Sequence, residues 1–270
     1  MSDFLSHLFA NHFLLKLVLT PVIISVSTLV SRRWGESIGG LMIGLPLTSA
    51  PVSVFFALEQ GVQFADHAAL SAILGLIPVV AFSVSYVLAA RTLRWIQAAL
   101  VGIGAYLAAV VCMSMLAPSV LLDILLVPLA LIAGLLILGK PETEIKRIAT
   151  PWWDIPLRML IATTILVLIT TGASFLGSKW SGLLSPFPIF TFVMAFFTHS
   201  QGGSAAVGRF IRGVIRGLFG YLVFFLVVSQ LVSWANLVLV YSLATCAALL
   251  VNGLSLWAQI SPFRTPQSAK

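Results

Sequence analysis

Nine apolar segments, separated by short polar links, are the feature of this chain that most constrains its fold. They lie at about residues 10–31, 38–58, 68–90, 95–117, 119–139, 156–176, 180–199, 206–230 and 234–259. A helix needs roughly 20 apolar residues to cross a bilayer, which is about the length of each segment. Hydrophobic residues make up 60% of the chain and charged residues only 9%, too few to cover a fold in water. The sequence therefore predicts an all-α membrane protein with nine transmembrane helices and the lipid bilayer as its surroundings.

The basic residues indicate how the segments are oriented. Arg32 and Arg33 follow the first segment. If they lie in the cytoplasm, the other Lys and Arg residues also lie there, and the exceptions among the 15 are Lys16 and Lys179. Loops on the cytoplasmic side of a membrane carry an excess of Lys and Arg. The chain is therefore predicted to have its N-terminus outside and its C-terminus in the cytoplasm. Because the membrane boundary accounts for the net charge of +7, no nucleic-acid partner is expected.

A passage within the second segment recurs in the seventh. The identical pairs, all separated by the same interval, are Gly35 and Gly177, Gly40 and Gly182, Leu41 and Leu183, Pro46 and Pro188, Phe55 and Phe197, and Gly61 and Gly203. The interval covers five segments, an odd number, so the second copy is inverted in the membrane relative to the first. Residues 1–270 are thus predicted to form one membrane domain. It contains two inverted four-helix repeats (10–117 and 156–260), joined by a linking helix (119–139) and a cytoplasmic linker (140–155).

Glycine and proline interrupt both copies of this passage. Proline lacks an amide hydrogen and breaks a helix, and the freed backbone groups can bind a solute or an ion. In transporters, such interruptions at corresponding places in two halves indicate the binding site. The predicted substrate-binding residues are Gly44, Pro46, Thr48, Ser49, Ser53, Pro186, Pro188 and Thr191. Alternatively, the interruptions only kink packed helices, and each broken segment either crosses the membrane or is re-entrant.

Ionisable residues near the segment ends are further candidates. Glu59 ends the second segment and His199 ends the seventh, where they are predicted to act in gating or proton handling, or simply as interfacial polar residues. Arg209, Arg212 and Arg216 share one helix face at the inner end of the eighth segment. They are predicted to attract an anionic substrate or to bind anionic lipid headgroups.

Hydrolytic, redox and metal chemistry is not indicated. The sequence has no nucleophile-elbow, zinc-protease or phosphate-loop motif and only four His, so neither a cofactor nor a metal site nor an enzymatic activity is predicted. Cys112 and Cys246 lie inside apolar runs without metal-ligand spacing, and they are expected to be small, buried hydrophobes. The sequence leaves open whether the chain forms a homo-oligomer.

One stretch also resembles a known pattern. Trp34-Gly35, Gly44-Leu45-Pro46-Leu47-Thr48-Ser49-Ala50-Pro51 and Glu59-Gln60-Gly61 resemble a motif of uncharacterised bacterial inner-membrane proteins of similar length. The resemblance implies a bacterial multi-pass protein of the inner membrane and carries over no activity. Together these patterns favour a small secondary transporter of a solute or ion that works by alternating access. A membrane-embedded lipid-handling protein or enzyme near the cytoplasmic face is the alternative, and an accessory membrane subunit is a third hypothesis.

Overall fold

The structure, a computed structural model, describes residues 12–115, 120–140, 151–168 and 187–260, except the side chains of 12–16, 120, 122, 123 and 258–260. Within these ranges the chain is helical with short turns. The helices are α1 His12–Trp34, α2 Glu36–Ile43, α3 Ser49–Glu59, α4 Val62–Leu74, α5 Leu76–Ala90, α6 Trp95–Met113, α7 Val120–Leu138, α8 154–168, α9 Ile189–Leu231 and α10 Leu237–Ile260. Pro186 and most of the predicted seventh segment before it lie outside the described residues.

Five helical stretches of the described residues are long and apolar enough to cross a bilayer. They are Leu17–Trp34, Val62–Ala90, Trp95–Met113, Ile189–Leu231 and Leu237–Trp257. Their outer faces expose large apolar side chains such as Val22, Leu100 and Leu243. Surfaces of this kind are unfavourable in water, whereas lipid tails solvate them well. The structure thus agrees with the predicted all-helical membrane protein.

The interior is built on glycines that bring two helix backbones together. They are Gly40 of α2, Gly44 directly after α2, and Gly213 and Gly217 of α9. A Cβ on Gly213 would lie 2.0 Å from the carbonyl oxygen of Ser37, and a Cβ on Gly40 would lie 2.0 Å from that of Phe210. Lipid tails are as apolar as leucine, so membrane helices associate through close packing at small residues spaced four apart. The backbones of α2 and α9 are therefore in direct contact.

The predicted break in the second segment is present. Helix α2 ends at Ile43 and α3 begins at Ser49, with Pro46 between them. Gly40 contacts Phe210, Gly44 contacts Val214, and Ser49 then forms a hydrogen bond with Tyr221. Both halves therefore follow α9 in the same direction. The second segment is therefore a broken helix whose two halves both contact α9.

Two glycines with positive φ redirect the chain. Gly61 separates α3 from α4 with φ 89° and ψ 166°, and Gly203 interrupts α9 with φ 73° and ψ −171°. Only glycine adopts such a backbone without strain. A straight helix of 43 residues would be about 65 Å long, twice the hydrocarbon thickness. The kink divides α9 into a first arm (189–202) and a second arm (204–231), so one residue replaces the predicted link between the seventh and eighth segments.

The expected burial of the cysteines is wrong. Both Cys112 and Cys246 are exposed, on α6 and α10. In a membrane helix the lipid-facing side is as apolar as the side that packs against protein. An apolar run therefore indicates a span, but it does not indicate which face is buried.

Candidate functional site

The serines of the first broken segment are held by tyrosines from the other end of the chain. Tyr241 of α10 donates its hydroxyl proton to the carbonyl oxygen of Ser53 at 2.8 Å, and the two hydroxyl oxygens are 2.9 Å apart. Because the tyrosine proton is used at the carbonyl, the hydroxyl of Ser53 must donate to Tyr241. Ser49 also forms a side-chain hydrogen bond with Tyr221 of α9. Two predicted site residues are thus fixed against the second arm of α9 and against α10.

The described part of the predicted second broken segment, residues 187–199, packs against a different helix pair. Phe187 precedes the first arm of α9, and its ring centroid lies 5.3 Å from that of Tyr106 on α6. His199, near the end of that arm, is buried with its Nδ1 atom 3.4 Å from the hydroxyl oxygen of Tyr86 on α5. Further ring contacts join Phe192 to Phe82 and Phe196 to Trp95. The first arm therefore lies against α5 and α6.

The two contacts are reciprocal along the chain. The first broken segment comes from the N-terminal half and packs on two helices of the C-terminal half. The second comes from the C-terminal half and packs on two helices of the N-terminal half. Helix α6 begins at Trp95 and α10 begins at Leu237. These two residues are as far apart in the sequence as the two members of each identical pair of the repeated passage.

The remaining predicted substrate-binding residues are distributed over both breaks. Gly44 and Pro46 are buried in the first break, and an added Cβ on Gly44 would lie 2.4 Å from the carbonyl oxygen of Val214. Thr48 precedes α3, and Pro188 precedes the first residue of α9. Thr191 is buried on the first arm of α9, the arm that packs against α5 and α6. The structure thus brings Ser49 and Ser53 against the second arm of α9 and α10. It places Thr191 on the first arm of α9, which packs against α5 and α6.

A buried ionic cluster connects α1, α8 and α9. Asp154 is 0% exposed, and both of its carboxylate oxygens accept hydrogen bonds from Nε of Arg158, at 3.0 and 2.9 Å. Arg32 donates to the same carboxylate at 2.8 Å, and Gln201 also donates to it. Arg158 in turn donates to the side-chain oxygen of Gln201 at 3.0 Å. These four residues are called the Asp154 cluster.

The electrostatics of the Asp154 cluster keep its carboxylate ionised. Burial alone would raise the pKa of Asp154, but the charge of Arg158 and the hydrogen bonds from Arg158, Gln201 and Arg32 outweigh burial and lower it. The guanidinium of Arg158 also lies 4.8 Å from the ring centroid of Phe197. The sequence prediction had assigned Asp154 to a linker. Its spacing of four residues from Arg158, near the start of a helix, is the signal that could have revealed the pair.

Further contacts gather charged residues at the same end of the molecule. Arg209 forms a salt bridge with Glu36 at 3.3 Å, and Arg91 donates to the carbonyl oxygen of Leu138 at 3.4 Å. This end, which also holds the Asp154 cluster, is called the basic end. Glu59 is exposed at the end of α3, and α3 runs away from the basic end. The two residues predicted to act in gating, Glu59 and His199, are therefore far apart.

Sequence reasoning missed the tyrosines. All four tyrosines of the chain are near a broken segment: Tyr221 and Tyr241 meet the first, and Tyr86 and Tyr106 meet the second. A tyrosine inside an apolar span usually needs a hydrogen-bond partner, which is the available signal. The hydroxyls of Tyr106 and of Ser83 on α5 are buried, and neither has a partner among the described residues.

We expect Tyr241→Phe to destabilise the protein by about 1 kcal/mol, because it removes a buried hydrogen-bonded hydroxyl and leaves Ser53 without its acceptor. The measurement is thermal unfolding of the purified protein in detergent. Ser242→Ala, an exposed position on the same helix, is the matched control. Equal unfolding temperatures for the two variants would contradict the role assigned to Tyr241.

Along the two repeated passages the described residues offer hydroxyls, one imidazole, aromatic faces and the backbone groups of residues 44–48. Among the described residues, no three His, Cys, Asp or Glu side chains gather in a way that could hold a metal ion. Comparison of the chain with family models, curated proteins and solved structures gives no match. The arrangement described above is therefore the basis for assigning a function.

Proposed function

We propose that the protein is a secondary transporter of the bacterial inner membrane that moves a small solute or ion by alternating access. Its two inverted units are residues 10–117 and 156–260, and the substrate binds between the broken segments. The observation that carries this proposal is the reciprocal packing of the broken segments. Each one lies against two helices of the opposite unit, so movement of one unit relative to the other changes the surroundings of both breaks.

The backbone at the two positive-φ glycines supports the inverted repeat. Gly61 and Gly203 are an identical pair of the repeated passage, and their ψ values, 166° and −171°, are both close to fully extended. Each directly follows the helix of a broken segment. Two equivalent turns in two inverted units would lie on opposite sides of the membrane. Such turns are suited to act as hinges, because glycine changes its backbone angles at little cost.

The ion pairs at the basic end suit a closed inner gate. The basic end corresponds to the cytoplasmic side under the positive-inside rule, with the N-terminus outside and the C-terminus inside. Arg32 and Glu36 belong to the first unit. Their partners are Asp154, in the linker just before the second unit, and Arg209, within the second unit. Opening the protein to the cytoplasm would require these pairs to separate. The Asp154 cluster then stabilises the state in which the cytoplasmic side is closed.

Cysteine accessibility tests this mechanism without knowledge of the substrate. We expect Ser49→Cys, made after Cys112 and Cys246 are changed to serine, to react with a membrane-impermeant maleimide from both sides of the membrane. A thiol reacts as thiolate, which forms in a water-filled pathway and not in lipid. Adding Asp154→Asn should increase labelling from the cytoplasmic side, because it weakens the inner gate.

The control is Leu243→Cys, whose side chain is exposed on the apolar face of α10 and should remain unlabelled from either side. Labelling of Ser49→Cys from one side alone, both with and without Asp154→Asn, would contradict alternating access. Labelling from neither side would show that no water-filled pathway reaches the first broken segment.

A further inference from the structure

Arg212 is the buried residue of its arginine stripe, whereas Arg209 and Arg216 are partly exposed. It is 6% exposed and lies within a run of buried residues from Phe210 to Ile215. Its Nη2 atom is buried and has no hydrogen-bond partner in the described part of the chain. A buried charge without a partner is strongly destabilising, so a native structure normally supplies a counter-charge.

The charges that act on Arg212 are also positive. They belong to Arg216, one turn further along α9, and to Arg91, at the end of α5. Arg209, which shares the stripe in the sequence, instead forms a salt bridge with Glu36. Of the predicted stripe, Arg209 is thus paired with an acidic residue, and the charges of Arg216 and Arg91 act on Arg212. The charges of Arg91 and Arg216 both repel that of Arg212, and a single anion would attract all three.

The position of these groups indicates what kind of anion fits. Helical side chains lean toward the N-terminus of their helix, so Arg212 extends toward the basic end. Arg91 lies at that end and donates to the carbonyl oxygen of Leu138. A planar guanidinium group binds phosphate through two parallel hydrogen bonds, and several guanidinium groups together match the double negative charge of a phosphate.

We propose that Arg212, together with Arg91 and Arg216, forms a binding site for a phosphate group at the basic end of the protein. The group belongs either to an anionic lipid headgroup or to a water-soluble phosphate, since both present the same oxygens to the arginines. This site does not depend on the protein being a transporter.

The test measures the thermal stability of the full-length protein in detergent with two probes. Inorganic phosphate is titrated against chloride at equal ionic strength, and phosphatidylglycerol is compared with phosphatidylcholine in mixed micelles. At least one probe should raise the unfolding temperature of the wild type. Stabilisation by phosphate alone identifies a soluble ligand, and stabilisation by phosphatidylglycerol alone identifies a lipid headgroup.

The variants locate the effect. Arg212→Gln should weaken the apparent affinity for the active probe by about tenfold or more, since it removes charged hydrogen bonds. The same variant should be no less stable than the wild type without the probe, because an unpaired buried charge has been removed. Arg91→Gln, at an exposed position, should also weaken binding. Arg209→Gln is the matched control because it removes the same charge from the same helix. It should bind the active probe with the affinity of the wild type.

Three results would overturn the proposal. The first is that neither probe stabilises the wild type beyond chloride or phosphatidylcholine. The second is that Arg212→Gln and Arg209→Gln respond equally to the active probe. The third concerns Glu142 and Glu144, which follow Lys140 in the sequence outside the described residues. The double change of these residues to Gln is made in the wild type and in the Arg212→Gln variant. If it destabilises only the wild type, the linker supplies the counter-charge of Arg212.

Discussion

Replacing Gly213 with leucine is expected to prevent the protein from folding into a stable form. Even the first added carbon would lie 2.0 Å from the carbonyl oxygen of Ser37 and 2.9 Å from the amide nitrogen of Leu41. These are backbone atoms of α2, which cannot rotate away as a flexible side chain can. Overpacking of a well-packed interior typically costs about 1–3 kcal/mol, and a clash with backbone belongs at or above the upper end. Separating α2 from α9 would also disturb the first broken segment.

The comparison for this prediction is Gly104→Leu on α6, a helical glycine whose added Cβ would meet nothing within 4 Å. Both variants receive the same side chain within a helix, so differences in helix propensity cancel. The yield of monodisperse protein in size-exclusion chromatography and its unfolding temperature are the measurements. Normal yield and stability for Gly213→Leu would show that α2 and α9 are not in backbone contact.

Asp154→Asn is expected to have the second largest effect, a loss of about 3–5 kcal/mol of stability. The change keeps the size of the side chain but leaves the guanidinium of Arg158, which is 4% exposed, without its counter-charge. Replacing Asp154 and Arg158 together by leucine should recover most of the loss, because the pair of charges then disappears with its desolvation cost. Unfolding temperatures of the single and double variants give the coupling between the two residues.

The pH dependence follows from the direction of the shift. The folded state holds the pKa of Asp154 below its ordinary value of about 4. The carboxylate therefore contributes its full stabilisation above that value, and the contribution is lost as the pH falls through the lower folded pKa. The wild type should lose stability with acid over this range. Asp154→Asn, measured in parallel, should lack this part of the pH dependence.

The control for the Asp154 cluster is Glu36→Gln, which breaks the more exposed salt bridge to Arg209. Surface pairs of this kind contribute at most about 1 kcal/mol. The expected order of stability is therefore wild type, Glu36→Gln, Asp154→Asn. A similar loss for both single variants would show that the Asp154 cluster is not buried in the folded protein.

Local sequence was sufficient to predict the break in the first repeated passage. Pro46 cannot donate to a helix, and Gly61 and Gly203 tolerate a positive φ that other residues avoid. These properties belong to single residues, so they hold before the chain is folded. The direction of α2 and α3 along α9 could not be predicted in this way. It depends on contacts such as Gly40 with Phe210, between residues far apart in the sequence.

The serines of the first broken segment and their tyrosine partners show the same division. The sequence identified Ser49 and Ser53 because they are polar residues beside a break. It did not identify Tyr221 and Tyr241 as their partners, because the sequence around a tyrosine in an apolar span does not indicate which residue the tyrosine forms a hydrogen bond with. Arg209 and Arg212 likewise have the same local surroundings in the sequence, yet one is paired with Glu36 and the other is buried without a partner among the described residues.

The sequence by itself determined that this chain is a helical membrane protein and where its second segment breaks. Hydrophobic length decides whether a segment is stable in lipid, and a missing amide hydrogen decides where a helix must end. The tertiary structure alone decided which helices each broken segment packs on and which charges are neutralised. Both outcomes depend on the distance between atoms of separate helices, and packing at small residues sets that distance only after the helices have assembled.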